Sequence, residues 1–200
     1  MAVRITEIIP VQGFEVITRF LASQLLEEID NQFTLQGLTE TFKVFLEKGS
    51  AVDLRETDIV YNVLFGSAEM ESHTFTDSMY IGTWFIDIYA KGVHQPTQEG
   101  DEYTALILLK HIGMVRYIFD SAKSQLLTTN EKLRLTGMVK SFGTVEPHSN
   151  KDANFLKMGR LSLEIKFRES QDIFSGVAFG ENHTQIKISD SEDGYQLILK

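Results

Sequence analysis

No cysteine occurs in this chain. That removes disulfides, thiolate nucleophiles and every cysteine-ligated metal site together. Nor is there a long apolar run. The best stretches are broken by Asp87 and Lys110, well short of the roughly 20 apolar residues that span a bilayer as a helix. The N-terminal stretch, Met1 to Gln12, carries Glu7 and Pro10 inside a short apolar patch. It lacks the basic start, apolar core and small-residue cleavage site of a secretory signal, so synthesis in the cytoplasm is expected. An excess of positive charge is missing too. The net charge is −9, and an acidic chain is not built to hold nucleic acid by neutralising phosphates. Such a chain can still surround a polyanion, because a repulsive wall denies it a bound state.

Catalytic signatures are also absent. Neither GxxxxGK[ST] nor GxGxxG occurs, and there is no HExxH. The histidines His73, His94, His111, His148 and His183 are never three or four residues apart, so local metal-ligand spacing is missing. The stretch Asp190-Ser191-Glu192-Asp193-Gly194 lacks the spacing and the closing Glu of a calcium loop and reads as an acidic turn. Asn182-His183-Thr184 matches a glycosylation sequon, which is idle without a secretory route. Asp87 interrupts WFIDIY. A carboxylate in a central strand can serve as a raised-pKa base. No acid, histidine or nucleophile lies near it in sequence, so a paired or outward-pointing carboxylate is the preferred reading. No catalytic residue, cofactor or metal is expected.

What the chain does have is the make-up of a folded domain. It has 200 residues, 42% hydrophobic and 24% charged, enough for one domain with a substantial core. Phe14, Ile17, Leu21, Leu25 and Ile29 recur on one helical face over 14–30, widened by Phe20 and Leu26. Strand patterns follow over 41–46, 59–65 and 79–90. The last is apolar on nearly both faces and is therefore placed centrally. A second helix is expected over 101–123 with Asp101 as its N-cap. Ala105, Leu108, Leu109, Ile112, Val115, Phe119 and Ala122 line its apolar side. Gly113 weakens that helix and would be explained by close packing against the sheet. Strands over 135–145 and 155–168 complete the body. In the latter, Leu161, Leu163, Ile165 and Phe167 face one way and Arg160, Ser162, Glu164, Lys166 and Arg168 the other.

Helices and single strands do not alternate, so a doubly wound parallel sheet is disfavoured. The expectation is an α+β fold: a mostly antiparallel sheet, two helices on one face, long projecting hairpin loops and a C-terminal β-extension. Residues 1–170 form the main body. Residues 171–200, with strand pieces over 184–188 and 195–199, read as an extension of the same domain. An arm that completes a neighbour's sheet is an equal use of those pieces. Two polar segments, 67–78 and 146–154, lie between long strands and read as loops or arms. A projecting hairpin exposes backbone edges and costs ordering entropy that a partner surface would recover.

This order of elements resembles the tail terminator and head-to-tail joining (neck) proteins of long-tailed bacteriophages. IGTWFIDIYAKG, followed by a loop and DEYTALILLKHIGMVRYIFDSAK, is similar to their middle strand and second helix. GMVKSFGTVEPHSNKDANFLKMGRLSLEIKF is similar to their final long hairpin. The likeness covers 14–168 as a pattern. It implies a virion structural protein that forms a hexameric ring. That ring caps the tail tube, stops its polymerisation and offers a docking face to the head connector. Its partners would be further copies of itself, the tail tube protein, the sheath and connector proteins. Genome DNA would pass through the hole without specific binding. The segments holding Glu69, Glu71 and His73, and Glu146, His148, Lys151 and Asp152, would reach these partners or line the hole. Two other structural readings are a baseplate or tail-tube component and a cytosolic adaptor. From a different class comes a small hydrolase or ligand-binding domain with a site around Asp87, Tyr89 and His111.

Overall fold

In a computed structural model of the chain, the described residues are 11–49, 56–74, 77–91, 100–120, 136–145, 156–170, 187–189 and 196–198. The N-terminal patch, the loop 93–99, the loop 146–154 and the acidic turn 190–194 lie outside them. Residues 1–170 and 171–200 form two compact units. The first contains α1 (Gly13–Gln36), β1 (Phe42–Leu46), β2 (Ile59–His73), β3 (Asp77–Lys91), α2 (Gly100–Asp120), β4 (Thr136–Val145) and β5 (Leu156–Ser170). Its strands make one sheet in the order β1-β2-β3-β5-β4. The second unit contains β6 (Lys187–Ser189) and β7 (Gln196–Ile198), paired antiparallel. Among the described residues no helix is long and apolar enough to cross a membrane.

The sheet is mixed. β1 runs parallel to β2, whereas every other pair is antiparallel. Parallel neighbours need a connection that crosses back over the sheet. Asn62 anchors its start: its amide oxygen accepts from the Lys48 backbone N–H and its amide nitrogen donates to the Lys48 carbonyl, both at 3.0 Å. Asp58 ties the two strand starts by accepting from the Thr41 N–H at 2.8 Å and from its hydroxyl at 2.9 Å.

Periodicity places α1 well but ends it too early. Ile17, Leu21, Leu25 and Ile29 are 0–1% exposed, and Phe33 continues the stripe at 7%. Burial of each such side chain is worth about 1.5–3 kcal/mol, so the helix runs on to Gln36. Gly37 then stops it at φ 63°, with the Leu38 N–H reaching the Phe33 carbonyl and the Gly37 N–H the Thr34 carbonyl. That is the Schellman pattern, which needs a residue tolerant of positive φ. Leu26, expected to widen the apolar face, is 49% exposed instead. At the start, Gln12 gives no side-chain cap. A distant carboxylate supplies one: Glu169 Oε1 accepts from the Gly13 N–H at 2.8 Å, which also suits the positive end of the helix dipole.

Both helices pack on one face of the sheet and share a single core with Tyr61, Trp84, Ile86, Ile88, Leu161, Leu163, Ile165 and Phe167. The central placement of β3 and the inward face of β5 follow the alternation in the sequence. The stripe on α2 is rotated from the expected one. Thr104, Ile107, Leu108, His111, Ile112, Val115, Ile118 and Phe119 are buried, while Leu109 is 54% exposed. Asp101 lies inside the helix, which begins one residue earlier at Gly100. Gly113 does not serve close packing, since its position is exposed and a Cβ there would meet nothing within 4 Å. The close approach is made from the sheet side. A Cβ on Gly159 of β5 would lie 2.5 Å from Ile112 Cδ1.

Candidate functional site: an arm and two open sheet edges

The polar segment 67–78 is mostly strand rather than loop. β2 pairs with β3 from Ile59 to His73, with irregularities between Phe65 and Ser67 and between Met70 and Ser72. The extra residues are Gly66 and Glu71. Gly66 is needed where it stands, because a Cβ would lie 2.6 Å from the Phe85 ring. Bulges add twist and bend the ribbon. β5 follows β3 outward to the Asp77–Ser170 pair, while β4 begins opposite Lys166. The outer end of the sheet is therefore a three-stranded arm of β2, β3 and β5.

The arm gathers three of the expected partner residues. Glu69 is exposed opposite Ile81. Glu71 sits in the second bulge, and its carboxylate pairs with Lys166. Both lie on the face away from the helices. His73 lies on the helix side, its Nδ1 2.8 Å from Ser78 Oγ. Of the two readings of this segment, loop or hairpin arm, the structure has the arm: a hydrogen-bonded ribbon in which Glu71 and His73 already have partners. Glu146, His148, Lys151 and Asp152 lie outside the described residues.

The open face of β5 carries a ladder of ion pairs that the sequence did not disclose. Arg160, Glu164, Lys166 and Arg168 pair with Asp87, Lys140, Glu71 and Asp77 respectively. Only the strand register brings these charges opposite one another. Most are exposed pairs worth little individually. Asp87 differs, because its side chain is only 3% exposed and Arg160 grips it with two bonds of 2.6 and 2.8 Å. The Arg160 guanidinium also lies 4.8 Å from the centre of the Phe85 ring. Asp87 is therefore a paired carboxylate, as preferred. Burial, with the Asp87 charge behind it, raises the neighbouring Tyr89 hydroxyl pKa.

His111 lies on the other side of the sheet. Its Nδ1 is 2.6 Å from the Tyr61 hydroxyl, beside the Phe33 ring. Burial, reinforced by Glu40, pushes the Tyr61 pKa up; burial pushes His111 down to about 4. Asp87 and Tyr89 on one face and His111 on the other do not converge, so the proposed hydrolase site is not assembled by the fold. Among the described residues no three His, Asp or Glu groups are placed to hold a metal ion.

What the described residues leave available is surface. β1 and β4 are the two borders of the sheet. Beside β1 runs an apolar groove made of two adjoining cavities of about 320 and 370 Å³, which share Arg19 and Leu46. Phe14, Ala22 and Leu26 form its helical wall, and Val44, Phe45 and Phe65 its strand wall. At the opposite end, beside β4, α2 exposes Leu106, Leu109 and Tyr117, and Phe142 of β4 is 50% exposed beneath Arg116. No protein-family model and no curated protein matches the chain.

Proposed function

We propose that this chain is a structural protein of a phage particle. It closes into a ring that caps the tail tube and joins it to the head connector. One observation carries the reading: among the described residues the sheet has two different open borders, each flanked by exposed apolar side chains, at opposite ends of one body. Isolated apolar residues on a surface are ordinary, but contiguous patches mark interaction sites. Two unlike patches on one protomer suit head-to-tail contact, which closes into rings when the rotation fits. The three-stranded arm suits an axial role, since it presents backbone and side chains beyond the packed body to a tube ring or a connector. Glu69 on the arm and the charge of −9 suit a wall past which DNA slides without binding.

Light scattering and electron microscopy of the purified chain test this reading. A discrete ring, and particles with ends of abnormal length when the gene is disrupted, are the expected outcomes. A strict monomer at high concentration, together with normal particles after disruption, would refute it.

A further inference from the structure

We infer that, within the self-assembly proposed above, the α2–β4 end of one copy seats in the α1–β1 groove of the next. The occupant is a second copy because the same chain carries a second exposed apolar surface with charge opposite to that beside the groove. The groove is concave and mainly apolar, with Leu26 and Leu46 on its walls at 49% and 44% exposure. The other end carries Leu109, Tyr117 and Phe142, exposed by 54%, 77% and 50%. An aromatic side chain covers about 150–250 Å². Tyr117 and Phe142 alone therefore leave on the order of 250 Å² uncovered. A stable interface needs roughly 800 Å² per partner, so these two rings and the nearby leucines supply an apolar centre of the right scale, with polar surface left for the rim.

Charge and backbone point the same way. Glu27 and Asp30 occupy exposed positions on the outer side of α1, close to Leu26 in the helix. Lys110 occupies an exposed position on α2 beside Leu106 and Leu109. Opposite charges on the rims of an apolar contact fix its register. Among the described residues each patch also borders an unpaired sheet edge, β1 on one side and β4 on the other. Joining them in head-to-tail fashion covers both edges with one repeated contact, which removes the hazard of free strand borders.

The test uses the full chain and two substitutions at half-exposed positions, Leu26→Glu in the groove and Leu109→Glu on the α2–β4 end. The wild type assembles. Each variant alone keeps its circular dichroism spectrum and scatters light as a single chain. An equal mixture of the two gives a dimer and nothing larger, because one intact groove meets one intact α2–β4 end. A wild-type monomer would overturn the self-assembly reading and this inference together. A wild type that assembles while both variants assemble as well would overturn this inference and leave the parent reading standing. So would a mixture that stays monomeric. Because the chain has no cysteine, the double variant Leu26→Cys, Leu109→Cys gives an independent readout. Mild oxidation yields a covalent ladder that neither single variant gives, and an assembled protein without that ladder refutes the contact.

Discussion

His111 is 0% exposed on the sheet-facing side of α2, with Nδ1 engaged by Tyr61 and Nε2 buried without a hydrogen-bond partner among the described residues. Protonating it would place a cation in the core. Its pKa falls from 6.5 to about 4, first through burial; the charge of Lys110 adds to the fall and that of Glu40 opposes it. In the unfolded chain the imidazole takes its proton near the ordinary value. Between the two values the unfolded state holds more protons, so stability rises with pH there. The stabilisation is intact above about pH 6.5 and is lost progressively as the pH falls towards about 4. A gap of this size is worth about 3 kcal/mol at about 1.4 kcal/mol per unit. Small domains have only about 5–15 kcal/mol in total, so the loss is large. The assay is urea unfolding at pH steps from 7 to 4, for the wild type and for His111→Asn. The wild type loses about 3 kcal/mol more than the variant over that range. Equal losses in the two chains would show that other groups carry the acid sensitivity, and the buried-imidazole argument would be wrong.

Three further outcomes follow from the packing. Gly113→Ala raises stability by about 0.5–1 kcal/mol, seen as a higher urea midpoint, because the glycine occupies open space in mid-helix. Thr18→Val costs about 1–3 kcal/mol, because the Trp84 indole N–H then loses its buried acceptor, now 2.9 Å away. Trp84 is the sole tryptophan, so its emission reports the change directly. Across the Asp87–Arg160 pair the cost is unequal. Arg160→Met leaves the buried carboxylate uncompensated, at about 3–5 kcal/mol, whereas Asp87→Asn leaves a cation whose side chain is 40% exposed and can rehydrate. Chemical denaturation of both variants at neutral pH ranks them, and the reverse order would refute the account.

Some elements were legible in the sequence because burial imposes a single period on them. β5 alternates because one face meets the helices. α1 shows its stripe because it buries one side along its length, and β3 reads as central because its helix face is buried while Ile81 and Phe85 on the other face are half-buried between neighbouring strands. Other features depend on partners that no local pattern reveals. The outer half of β2, from Gly66 to His73, has no apolar alternation. It is strand because β3 lies beside it and supplies a backbone ladder. The parallel pairing of β1 and β2 is held by contacts distant in sequence, Asp58 on Thr41 and Asn62 on the Lys48 backbone. α2 is turned from its expected orientation so that His111 can meet Tyr61, leaving Leu109 outside.

The candidate site was hidden for a related reason. Periodicity finds residues that are apolar, but a docking surface is made of those apolar residues that the fold leaves uncovered. Leu26 and Leu109 both read as members of buried stripes, and both are about half exposed. They stand at opposite ends of the same sheet, Leu26 in the α1–β1 groove and Leu109 on the α2–β4 end. Places where local rules and the folded structure disagree tend to be functional. Here the two disagreements lie beside the two strand borders that the described residues leave open. The head-to-tail contact proposed above would use both surfaces.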